Sequence, residues 1–159
     1  MKAITIWQPW ASLIAHGYKA IETRTHGRFA GLVGRRIAIH AGMRYDPRTW
    51  AGTWGVPYYI RHRSPRDRYQ IRDICYDCPK LPRGAVVCTA VVLEHRRLSD
   101  TDSTAALCLT DERLYGLILD VDSIERFVPE IPAKGHQGIW EWSGGVQSSE
   151  CRMQSERKG

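Results

Sequence analysis

Lys19, Glu22 and Arg24 place a cation, a carboxylate and a planar guanidinium within six residues of one another. Read as a strand, residues 19–25 turn Ala20, Glu22 and Arg24 to one side and Ile21, Thr23 and Thr25 to the other. Glu22 and Arg24 can then act on the same object. A guanidinium grips phosphate through its fork, and a carboxylate accepts hydrogen bonds from a base edge, as Glu does from the cytosine amino group. Glu22 is equally suited to activating water as a general base. Trp7 and Trp10 offer stacking faces, which contribute about 1–3 kcal/mol per base in single-strand binding. The competing reading is a Glu22–Arg24 surface ion pair with Trp10 in the core. Gln8 either reads a base edge or satisfies backbone groups. His40 ends a strand and is either structural or part of the same cleft. Lys134 and Gln137, with Gly135 and Gly138 beside them, form either a basic binding turn or a plain turn into the last strand.

Positioning these residues requires a strand-rich fold. Residues 2–7 alternate, with Ile4 and Ile6 on one side. Pro9 suits the first turn of a helix, Trp10, Leu13 and Ile14 mark one apolar face, and Gly17 ends it. Residues 35–40 form a further strand. Residues 46–50 read as a short capped helix. The apolar run 85–93 suits a strand buried on both faces. Residues 100–111 read as a polar loop with one helical turn, and 115–121, 124–128 and 139–142 as strands. Six or seven short strands and one early helix predict an α+β fold built on a compact β-barrel. It would span residues 1–143, with an irregular or partly helical insertion at about 55–83 and a disordered tail at 144–159.

Composition narrows the function. The 159 residues carry a net charge of +6, unevenly spread: residues 1–97 hold 17 basic and 6 acidic side chains, residues 98–143 hold 3 and 9. Eighteen of the 23 basic residues are Arg. A basic half rich in Arg, Trp and Tyr suits a polyanion partner, and a solvated basic surface is the alternative. Residues 61–72 concentrate this, with five Arg against Asp67, as a solvated loop or an added phosphate-contacting arm. No apolar run reaches a membrane span and none resembles a signal-peptide core, so a cytoplasmic protein with no membrane partner is expected. Five Cys without a secretory signal argue against a disulfide framework. Cys75 and Cys78 have the spacing of half a zinc site but no second pair, which leaves plain thiols as the expectation and neither metal nor cofactor implied.

Four segments, W-Q-P-W-A-S-L-I at 7–14, G-Y-K-A-I-E-T-R at 17–24, I-A-I-H-A at 37–41 and P-E-I-P-A-K-G-H-Q-G-I-W at 129–140, together resemble the ASCH domain family in order and spacing. The resemblance covers residues 2–142, apart from 55–80, and includes bacterial and phage members. It implies a PUA-like barrel with a helix near its mouth. It also implies binding of RNA, single-stranded nucleic acid or a modified nucleotide in a cleft lined by the G-x-K-x-x-E-x-R motif, here Lys19, Glu22 and Arg24. Some bacterial relatives hydrolyse N4-acetylcytidine with a Lys and a Thr. Lys19 matches the Lys, whereas Glu22 stands at the Thr position and could not serve as that nucleophile. Lys19 and Glu22 are the catalytic candidates if the chain is a hydrolase of this kind or a ribonuclease. A protein-interaction adaptor is the remaining class.

Overall fold

The computed structural model describes residues 1–46 and 56–144; the helix expected at 46–50 and the tail fall almost wholly outside that range. Six strands, β1 (Lys2–Gln8), β2 (Ile21–Arg24), β3 (Arg36–Tyr45), β4 (Ala85–Arg97), β5 (Tyr115–Pro132) and β6 (Ile139–Glu141), form one sheet in the order β2-β5-β4-β3-β1-β6. β1 and β3 run parallel and every other neighbouring pair is antiparallel. The helices are short apart from one: α1 (Trp10–Ala15), α2 (Val56–Tyr59), α3 (Pro65–Tyr76) and α4 (Ser103–Ala106). The result is a curled half-barrel of α+β type. No helix among the described residues is long and apolar enough to cross a membrane.

The curl comes from β4 and β5. Their ladder shifts register at three places, and each such bulge bends the strands and increases their twist. At one of them the Ser123 hydroxyl donates to the Asp120 carbonyl at 2.7 Å and accepts from the Val91 N–H at 2.8 Å, replacing a ladder bond. Residues 115–121 and 124–128, expected as two strands, are therefore one strand. The concave face holds Ile4, Ile6, Ile37, Ile39, Val92, Leu117 and Leu119 against Ala11 and Ile14 of α1.

The insertion at 55–83 is largely helical. Ser64 caps α3 by accepting the Asp67 N–H at 3.1 Å, with Pro65 in the first turn. Ile71 and Cys75 of α3 pack with Val56, Ile60, Leu13 and Leu107. The insertion is also fastened to the segment between α1 and β2, since the Arg63 guanidinium donates to the Tyr18 carbonyl at 2.7 Å and the Tyr18 hydroxyl donates to Gln70.

One edge of the sheet is incomplete. β6 pairs with Lys2, Ala3 and Ile4 of β1 and then stops. The Trp142 N–H donates to the Met1 carbonyl, so by alternation the Thr5 carbonyl faces the same edge. There it meets a side chain of β2 instead of a strand: the Arg24 guanidinium donates to it at 3.3 Å.

Candidate functional site at the seam of the sheet

Two adjoining hollows occupy the seam between β1 and β2, sharing Thr5, Trp7 and Arg24. The larger, of about 1110 Å³, lies between the ends of β1 and β3 and the strap of residues 132–138 that joins β5 to β6. Arg24, Arg44, Lys134, His40 and His136 line it, and among the described residues no Asp or Glu does. Trp7 is 46% exposed in its wall, with the Arg44 guanidinium 5.7 Å from the ring centre. The smaller hollow, of about 280 Å³, takes Trp10, Lys19, Glu22, Arg24 and Asp46. Its charges are mixed, and its walls are polar where the larger cleft is cationic.

The strap is built into the cleft. The Ala133 N–H donates to the Gly84 carbonyl at 2.9 Å. The Ala133 carbonyl accepts a hydrogen bond from His40 Nε2 at 3.0 Å, and the His136 carbonyl accepts from the Thr5 hydroxyl at 2.8 Å. Gly135 presses so closely on His40 that a Cβ there would collide with the imidazole and with Thr5 Oγ1. Since a carbonyl only accepts, His40 carries its proton on Nε2. Nδ1 is then a buried acceptor with no partner among the described residues. Burial pushes the His40 pKa below its ordinary value, with the Ala133 bond opposing and His136 adding to the shift.

Lys19 is the least expected feature. It is 2% exposed, with its ammonium 5.0 Å from the Trp10 ring centre and donating to the Ala106 carbonyl at 2.5 Å. Burial pulls its pKa down, and the Glu22 charge works in the opposite direction. Glu22 is itself buried and pairs with Arg24 at 3.2 Å. Arg24 also lies over Phe29, 5.1 Å from its ring centre. These contacts fix the guanidinium while leaving it on the wall of both hollows.

Of the residues singled out from sequence, Trp10, Lys19, Glu22 and Arg24 meet in the smaller hollow, and Arg24, His40, Lys134 and Gln137 in the larger. Gln8 lies in neither. It is fully buried, its Nε2 donating to the Pro82 carbonyl at 2.6 Å and its Oε1 accepting from the Ser12 N–H at 3.1 Å, so its amide fastens the start of α1. Sequence reasoning left out Thr5, Met43, Arg44 and His136. The first could have been found from the alternation of β1, which sets Thr5 on the face of Trp7. Cys75 and Cys78 are buried thiols pushed up to about 12 and about 11, chiefly by burial. No group of metal-ligating side chains occurs among the described residues.

No protein-family model and no curated protein matches the sequence. Among solved structures, the crystal structure of ASCH from Zymomonas mobilis is similar to 89% of this chain over 87% of its own, at 14% identity and a TM-score of 0.50. Two variants of that protein align with 89% of the chain over 88% and 90% of theirs, at 14% and 13% identity and TM-scores of 0.49 and 0.48. The curled sheet, the helix after its first strand and this likeness agree on one architecture: the chain has the fold of an ASCH domain.

Proposed function

We propose that the chain binds RNA, or a modified nucleotide, at the seam between β1 and β2. The observation that carries this reading is the large cleft lined by Arg24, Arg44, Lys134 and two imidazoles, with no acid among the described residues. Glu22 balances Arg24, but Arg44 and Lys134 face the cleft with no ion-pair partner among the described residues, and a polyanion supplies one. Phosphates sit on Arg24, Arg44 and Lys134, a base stacks on Trp7, and the polar edge of one base enters the smaller hollow to meet Glu22. The test is binding of short single-stranded oligonucleotides followed by fluorescence anisotropy. Arg24→Ala should weaken binding whatever the base, while Glu22→Gln should change which base is preferred, by about 1–3 kcal/mol for a bidentate contact. Tight binding that both variants leave untouched would remove the site from consideration.

A hydrolytic reading is favoured by one observation, the buried Lys19 ammonium with its lowered pKa beside Glu22. A lysine whose neutral form is made accessible in this way can take a proton as a general base. On this reading Glu22 activates water and no Thr nucleophile is involved. Turnover of N4-acetylcytidine or RNA that is lost in Lys19→Met would support it, and binding without turnover would leave the chain a reader.

A further inference from the structure

We infer that the groove between α2 and α3 is a second phosphate site, which holds the backbone of a single-stranded nucleic acid whose other end occupies the seam. The inference rests on the nucleic-acid reading of the seam, but its residues are separate. The groove measures about 500 Å³ and is lined by Arg61, Arg68, Arg72 and Tyr69 together with two prolines and Ile60, and by no acid among the described residues.

Three features argue for a site over a solvated helix face. First, the groove gathers three guanidiniums that no carboxylate pairs among the described residues, whereas those of Arg24, Arg36, Arg96 and Arg113 are ion-paired with Glu22, Glu125, Asp102 and Asp111. Among the described residues the guanidiniums of Arg68 and Arg72 have no ion-pair or hydrogen-bond partner, and that of Arg61 bonds only to His62. Second, the cations are held on rigid ground. Pro65, Arg68, Tyr69 and Arg72 recur at i, i+3, i+4 and i+7, one face of α3. The flank of the helix beside that face is buried through Ile71 and Cys75, and Ile74 packs on the same cluster. Arg61 is oriented by its stacking on Tyr58, 4.3 Å from the ring centre. Third, Tyr69 is 72% exposed beside them, an aromatic face where a base adjoining the bound phosphate can stack. An acidic peptide would use the cations but not this face. The insertion also abuts the seam, because Trp10 and Tyr18 pack on the same apolar cluster as α3 and Trp10 lines the smaller hollow.

The experiment compares the full chain with Arg68→Ala/Arg72→Ala, Arg68→Lys/Arg72→Lys and Arg24→Ala. The probes are a single nucleoside monophosphate, a long uridine homopolymer and polyglutamate, each over a range of salt. Losing two single-strand contacts should shallow the salt slope on the homopolymer by about 1.4, so that the wild type loses about sevenfold more affinity than the alanine variant between about 50 and 200 mM salt. The lysine variant should keep the slope, and the monophosphate should bind all groove variants as it binds the wild type. An unchanged slope in the alanine variant overturns the groove and leaves the seam standing if Arg24→Ala still weakens binding. A lost slope with Arg24→Ala silent supports the groove and overturns the seam. Polyglutamate binding more tightly than the homopolymer, or the monophosphate weakening in the groove variants, overturns the inference.

Discussion

Placing a methyl group on Gly135 should unseat the strap that walls the cleft. The added Cβ would fall on the imidazole of His40 and within 2.9 Å of Thr5 Oγ1. His40 cannot retreat, because Trp140 stands edge-on to it at 5.6 Å and Nε2 is bonded to the Ala133 carbonyl. Overpacking of this kind costs about 1–3 kcal/mol. If the strap lifts instead, it loosens the His40–Ala133 and Thr5–His136 hydrogen bonds, each worth about 0.5–1.5 kcal/mol. Either route costs about 1–3 kcal/mol, which for a chain of this length lowers the melting temperature by roughly 2–12 °C.

Calorimetry or thermal circular dichroism reads that number, and anisotropy reads the second consequence. The strap carries Lys134, His136 and Gln137, so nucleic-acid affinity should fall at temperatures where the variant remains folded. Gly31→Ala is the control: nothing lies within 4 Å of its Cβ, and it should leave stability unchanged or raise it by about 0.4–1 kcal/mol. Gly135→Ala combined with His40→Ala should recover part of the loss, since the second change vacates the space the first needs; the coupling should fall within about 0.5–3 kcal/mol. A Gly135→Ala protein that melts within about 1 °C of wild type and binds normally would refute the reasoning, as would strict additivity in the double variant.

The other predictions concern charge. Below the ordinary imidazole pKa of about 6.5, His40 protonates in the unfolded chain before it does in the folded one. The unfolded state then binds more protons, so stability should decline as pH falls through that window, and His40→Gln should flatten the decline in pH-dependent denaturation curves. Lys19 has the same sign at the other end of the scale: its lowered pKa means that stability should rise as pH increases through the window below about 10.4, a rise absent in Lys19→Met. Arg96→Ala should cost about 2 kcal/mol in urea denaturation, between the worth of a surface pair and a buried one, because it leaves the buried Asp102 carboxylate without a fork that now contacts it at 2.8 and 2.9 Å.

Where burial and periodicity coincide, the fold was legible in the residues themselves. β1, α1 and the apolar half of β4 each show their period directly. The ends of strands were less legible. β3 continues from His40 to Tyr45, and the last three of those residues are exposed, so no alternation marks them, yet Tyr45 still pairs with Gln8. That unseen extension is what brings Arg44 to the cleft. α3 was hidden by its own chemistry: Ile71 and Cys75 are its buried residues, too few to set a 3.6-residue pattern against five Arg. Its N-terminal signal, Ser64 then Pro65 then Asp67, was nonetheless present in the sequence. Lys19 was legible as a site residue but not as a buried one, since neither its type nor its spacing tells that α1, β2 and the carbonyl of Ala106 close around it.

The seam explains why these side chains gather here. A closed barrel would bond the Thr5–Trp7 edge of β1 to another strand and leave no room for a ligand. β6 reaches only as far as Ile4, and β2 comes alongside through the Arg24 side chain. Arg24 therefore serves the fold and the cleft at once: one fork satisfies a carbonyl that a strand would otherwise take, and the same charge faces the hollow. Glu22 neutralises it from within the protein, on the side away from the acid-free cleft. A strand partner would have supplied the first of these services and none of the others. Incomplete closure thus converts backbone hydrogen-bonding capacity into a charged, aromatic-walled opening, and the strap held by Thr5 and His40 sets how wide it stands.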